Sequence, residues 1–177
     1  MRMSVAFGTA GCVATAFAAV SLAGPERVPY PEGYADRFVL YNQVDRPDRG
    51  IVRFMYVSPE SHEQAADGAS APDGTVLIME DHPAALDADG APLLGPDGRL
   101  IPSDEVTAVF VMEKQPGWGD TLPAETRNGD WDYAAYLADG SPRPDTTFDG
   151  CFGCHMNRSG SDFTFTYSAY LRDRDRQ

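Results

Sequence analysis

The sequence predicts a mainly β (α+β) fold, an antiparallel sheet with a few short helices and its distinctive chemistry near the C-terminal end. Short runs rich in β-branched and aromatic residues recur along the chain. The segments between them are dense in Pro, Gly and Asp, the residues of turns. Little of the chain reads as helix.

Taken in order, Tyr30-Pro31-Glu32-Gly33-Tyr34 is an irregular entry arm, since the nearby prolines forbid regular helix. Arg37 to Val44 and Gly50 to Val57 are β-prone and flank the polar stretch Asp45-Arg46-Pro47-Asp48-Arg49, which predicts an antiparallel hairpin. Ser58-Pro59 then offers an N-cap and a first-turn proline, opening a short helix to about Ala66 that carries His62. Pro72-Asp73-Gly74 is a turn that delivers the apolar strand Thr75 to Glu80. Asp87 to Pro102 repeats Asp-Gly and reads as a long surface loop or ribbon. A calcium loop fails there, because Ala91 and Pro92 stand where a ligand and a turn glycine belong. Val106 to Met112 predicts another strand, and Gly117-Trp118-Gly119 a close turn around a large ring. Asp130 to Leu137 alternates as a strand, Ser141 to Gly150 is a Pro/Asp-rich approach, and Asp162 to Tyr167 alternates as a last strand before a fraying charged tail from Arg172.

Cys151-Phe152-Gly153-Cys154-His155 spells CxxCH, the strongest chemical signal in the chain. Two thiols at this spacing add across the two vinyl groups of one haem, and the following imidazole reaches the iron. A redox pair has no use for His155, and a zinc site needs four ligands, whereas outside the motif only Cys12, His62 and His82 remain. The motif therefore predicts one covalent haem c per chain, attached through Cys151 and Cys154, with His155 as the axial iron ligand.

Residues 1–23 open with Arg2, continue through a small and apolar run, and end in Ser21-Leu22-Ala23 before Gly24-Pro25, a secretory leader. Cys12 comes too early in that run for a lipidation site, and the run lacks the bulky aliphatics of a membrane span. Cleavage after Ala23 leaves a single domain, residues 24–177, with 13 cationic against 27 acidic side chains, a net charge of −14. Such a surface repels nucleic acid and anionic lipid and suits a basic redox partner or plain solubility. An exported chain with both mature cysteines committed to haem fits a bacterial periplasm.

In this order the chain resembles the cytochrome P-460 family, which includes the β-sheet cytochromes c′-beta. The matching pieces are Pro31 to Tyr34, Ile51 to Ser61, Asp73 to Glu80, Trp118, the CxxCH and Asp162 to Thr166. The resemblance implies a homodimer of mainly antiparallel sheets, haem c held by His155, and a distal face open to small molecules. It suggests Arg53 as a contributor to the haem pocket, against a surface or sheet-pairing role. Phe54 and Met79 are the further candidates, with core packing the competing role for Phe54. The family's hydroxylamine-oxidising members carry a lysine, crosslinked to the haem edge, where this chain has Met79, and Lys114 is its only lysine.

Three functions follow as expectations. The leading one is a cytochrome with an apolar distal pocket that binds a small gaseous or nitrogenous ligand such as nitric oxide, or transfers electrons. An enzyme oxidising hydroxylamine or nitric oxide is disfavoured by Met79, and Glu80, Glu105 and His82 are its only nominal proton acceptors. A six-coordinate electron-transfer haem would need Met55, Met112, His62 or His82 as distal ligand. Met79 is a poor ligand, since the family position faces the macrocycle edge, and Met156 adjoins the proximal histidine.

Overall fold

The computed structural model describes residues 23–176. Five strands form one antiparallel meander in chain order: β1 (Val39–Arg46), β2 (Ile51–Val57), β3 (Val76–Pro83), β4 (Ala108–Lys114) and β5 (Trp131–Tyr136). Around it lie α1 (Tyr34–Arg37), α2 (Pro59–Gln64), α3 (Asp149–Met156) and α4 (Thr166–Arg174). The predicted mainly β architecture is thus the observed one, with each expected strand up to β5 in place. The Asp87 to Pro102 segment is a ribbon pinned by bridges Ala84 to Pro102, Leu86 to Pro92 and Leu94 to Leu100. Among the described residues no helix is long and apolar enough to cross a membrane. The expected leader lies outside them except for Ala23.

Register assigns every strand residue to one of two faces, because side chains alternate along each strand. One face carries Met55, Met79, Phe110 and Ala135 in one row and Val57, Leu77, Met112 and Tyr133 in the next. At the second row Phe152 of α3 and Tyr167 and Leu171 of α4 complete a core with Trp131. The reverse face, with Tyr56, Ile78, Val109, Val111 and Tyr136, is covered by the entry arm through Val28 and Tyr34. Burying both faces of β5 explains why even Asp132 is fully enclosed.

Three expectations give way to local physics. Ser58 precedes α2 as expected, but its hydroxyl does not cap the helix; it accepts from the Val76 N–H at 3.1 Å and ties α2 to β3. Asp162 to Tyr167 is no strand: Asp162 and Phe163 take φ of +49° and +57°, which breaks extension, and α4 begins at Thr166. The Asp162 carboxylate fixes this turn by accepting from Lys114 Nζ at 2.9 Å and from the Ala71 N–H at 2.8 Å. The charged tail does not fray at Arg172 either, because Arg174 reaches back to donate to the His62 and Ala65 carbonyls at the end of α2.

Candidate functional site

The CxxCH motif forms the body of α3 (Asp149–Met156), a helix that the sequence pattern does not signal. Helical spacing makes Cys154 the i+3 and His155 the i+4 neighbour of Cys151, so all three share one face. That face looks into a cavity of about 530 Å³. Phe152 points instead into the core, edge-on to Tyr133 at 4.9 Å. A fully buried Asn128 locks this junction, donating to Tyr133 Oη at 2.7 Å and to the Phe152 carbonyl at 3.1 Å.

His155 is oriented by its backbone partner. Its Nδ1 lies 2.6 Å from the Phe163 carbonyl, so Nδ1 carries the proton and Nε2 keeps its lone pair. Burial lowers its pKa, against the opposing effect of that carbonyl. The positive φ of Phe163, missed in the sequence, is what turns this carbonyl toward the ring. Phe165 packs edge-on against His155 at 5.0 Å and under the Arg158 guanidinium at 4.5 Å. Burial, with Cys154 alongside, pushes the Cys151 thiol up.

The opposite wall is the open row of the sheet. Met55, Met79 and Phe110 line it, with Tyr41, Thr166 and Tyr167 at the side. Tyr41 reaches it because a register shift between Leu40 and Asn42 leaves Tyr41 as the extra residue of a bulge. Arg46, Arg49 and Arg53 line the end formed by the β1–β2 hairpin. Arg53 is buried and held by a two-pronged ion pair to Asp81, with Nε to Oδ1 2.6 Å and Nη2 to Oδ2 2.8 Å. Arg46 is paired to the exposed Asp48, a contact worth little.

Of the three candidate pocket residues, Arg53 and Met79 line this cavity and Phe54 does not. Phe54 is one residue out of phase, on the reverse face, edge-on to His82 at 4.8 Å. Glu80 and His82 are also on that reverse face, where Glu80 accepts from Tyr34, from Tyr56 and from His82 Nε2. Glu105 is exposed in the loop before β4. His62 lies between α2 and α4 with Nδ1 3.4 Å from Tyr167 Oη. Lys114 is buried two rows from Met79, donating to Ser70, Ala71 and Asp162. Tyr41, Tyr133 and Thr166 are site residues that the sequence did not signal.

The residues fit haem c. Two thiols and an imidazole with a free lone pair share one helix face, largely apolar side chains line the walls, and guanidiniums stand at one end for an anionic edge. Among the described residues no group of three or more His, Cys, Asp and Glu side chains is arranged to hold a bare metal ion. Comparison with curated proteins gave no match. The model of the Cytochrome P460 family matches residues 31–166, and the chain belongs to that family, whose cytochromes carry haem c.

Proposed function

We propose that the chain is an exported c-type cytochrome of this family that binds one small neutral ligand, nitric oxide being the leading candidate, and exchanges single electrons. Cys151 and Cys154 would hold one haem c covalently, and His155 Nε2 would ligate its iron. The haem would supply an iron with one position open to a ligand and able to change oxidation state. The chain's own residues do the rest. The Phe163 carbonyl fixes the tautomer and direction of His155, and Arg46, Arg49 and Arg53 offer charge to the haem carboxylates. Apolar Met79 and Phe110 keep water and anions away from the opposite wall.

The observation that carries the open position is the state of Met55. Its thioether accepts from Thr166 Oγ1 at 2.8 Å and lies 3.8 Å from Tyr41 Oη, so its sulfur is already engaged by hydroxyls. Met112 also borders the cavity, but it is buried in the row that pairs with Tyr133 and packs with Phe152 of α3, next to the His155 side, and neither His62 nor His82 lines the cavity. In this reading the engaged sulfur of Met55 is what leaves the opposite position open. Optical spectra of the purified protein in both oxidation states, with and without nitric oxide, test this reading. Low-spin six-coordinate spectra in both states and no response to nitric oxide would sink it. Steady oxidation of hydroxylamine with an added acceptor, above the rate of free haem, would transfer the assignment to the enzyme reading.

The remaining assignments are read from the chain. Gly24 already joins the fold through its N–H on the Tyr133 carbonyl at 2.9 Å, in keeping with a mature domain from Gly24 in the periplasm. N-terminal mass analysis of the secreted protein checks the cleavage. A homodimer and a basic redox partner follow from the family resemblance and the acidic charge, and sedimentation at low and high salt checks both.

A further inference from the structure

One side of the cavity continues outward as a line of oxidisable side chains that ligand binding does not use. Met55, Tyr41 and Tyr167 all face the cavity. Tyr41 Oη is 3.1 Å from Thr166 Oγ1, the same hydroxyl that donates to the Met55 sulfur. The Tyr41 ring meets those of Tyr167 and Tyr170 at centroid separations of 5.1 and 5.5 Å. Tyr167 and Tyr170 are stacked at 16° and 6.4 Å. His62 completes the line, with its ring 5.7 Å from Tyr170 and Nδ1 facing the Tyr167 hydroxyl.

The line leads from inside to outside. Tyr167 is buried, Tyr41 is half-buried with its open side on the cavity, and Tyr170 and His62 at the far end are half-buried. Tyr167 and Thr164 also form part of a second cleft of about 430 Å³, between the 65–71 loop and residues 159–172, so Tyr167 is a shared wall between the cavity and the surface. Packing α4 against β1 needs only apolar rings. The chain places phenols there, each next to another ring, with an imidazole at the outer end. His62 Nδ1 lies 3.4 Å from the Tyr167 hydroxyl, in place to take a phenolic proton; burial and the Arg174 charge lower its pKa against weaker effects of Asp175 and Glu63.

We propose that Met55, Tyr41, Tyr167 and Tyr170, with His62 as proton acceptor, form an outlet that carries oxidising equivalents from the haem cavity to the protein surface when the loaded protein meets hydrogen peroxide. The proposal rests on haem occupying the cavity. Hydrogen peroxide takes up two electrons and two protons to become two waters. Tyr167 and Tyr170 each release one electron and the phenolic proton, which balances the reaction and leaves two phenoxyl radicals. Tyr41 passes electrons inward and is restored. The Tyr167 proton leaves through His62 Nδ1, the Tyr170 proton goes directly to water, and an external one-electron donor such as ascorbate returns both phenols. Met55, nearest the cavity, is the side chain that oxidises to the sulfoxide when the outlet is blocked.

The test mixes haem-loaded protein, verified by its optical spectrum, with a small excess of hydrogen peroxide, then freezes it for electron paramagnetic resonance. A tyrosyl signal is expected in the parent and in Tyr30→Phe, whose ring lies on the reverse face. The signal is lost in Tyr41→Phe/Tyr167→Phe/Tyr170→Phe, which keeps all three rings, and there haem bleaches faster and Met55 sulfoxide accumulates by peptide mass analysis. An undiminished signal with unchanged bleaching in the triple variant overturns the outlet, as does a haem-bearing parent that gives no organic radical. Purified protein without covalent haem overturns the proposed function itself, and the optical spectrum tells the two failures apart.

Discussion

The two faces of the sheet each hold a histidine whose Nδ1 meets a backbone carbonyl, and the difference lies at the other nitrogen. His155 places Nδ1 2.6 Å from the Phe163 carbonyl, and His82 places Nδ1 3.0 Å from the Ser103 carbonyl. The Nε2 of His82 is consumed by Glu80 at 2.6 Å, inside a closed group with Tyr34 and Tyr56. The Nε2 of His155 has no protein partner among the described residues and shares a helix face with two thiols over a cavity. Residue type therefore says little by itself. An imidazole satisfied at both ends is scaffold, and one satisfied only at Nδ1 is held ready as a ligand.

The largest expected effect breaks the cavity face alone. Replacing both thiols, Cys151→Ser/Cys154→Ser, abolishes haem that survives denaturation, read as haem staining on a denaturing gel. His82→Gln leaves that staining intact. On the reverse face the loss is in stability. Glu80→Ala strands His82 and two buried phenols, so the expected cost is about 3 kcal/mol in urea unfolding, with the haem spectrum of the folded fraction unchanged. If Glu80→Ala instead altered the spectrum at full stability, the division of labour between the faces would be wrong.

Much of this division was legible in the sequence. The strands show as apolar runs between Pro, Gly and Asp turns, and CxxCH announces its ligands because the haem chemistry needs that spacing. The misreadings share a cause. Phe54 and Glu80 sit on strands with apolar residues on both faces, so alternation says that neighbours diverge but not which set meets the cavity. Asp162 to Tyr167 alternates like a strand although Phe163 and Phe165 go to different sites. The left-handed turn at Asp162 and Phe163 is held by Lys114, 48 residues from Asp162 in sequence, a contact no local pattern encodes. Tyr41 is hidden for a similar reason, since its direction depends on a bulge.

Asp132 sharpens the comparison at β5, where it faces the reverse side next to cavity-facing Tyr133. Burial raises its carboxyl to about 6, against the lowering effects of the Tyr133 N–H and of Arg27, whose Nε is 3.1 Å away. A raised acid binds its proton more tightly folded than unfolded, so between about pH 4 and pH 6 stability falls as pH rises. Asp132→Asn should remove that slope and gain on the order of 2 kcal/mol at pH 7. Thermal unfolding at pH 5 and pH 7 reads it, and an unchanged slope would mean that Arg27 holds the charge in place.

The smallest effect on stability carries the sharpest information about the cavity. Thr166→Val keeps the shape of the side chain and removes the hydroxyl that donates to Met55, at a cost of about 1 kcal/mol. Because the donor and not the packing is lost, the Met55 thioether regains its lone pair while still lining the cavity. The ferrous spectrum is then expected to gain a low-spin component and nitric oxide binding to slow. A spectrum identical to the parent's would show that the open position is kept by distance, and that the hydroxyls around Met55 serve the sheet rather than the haem.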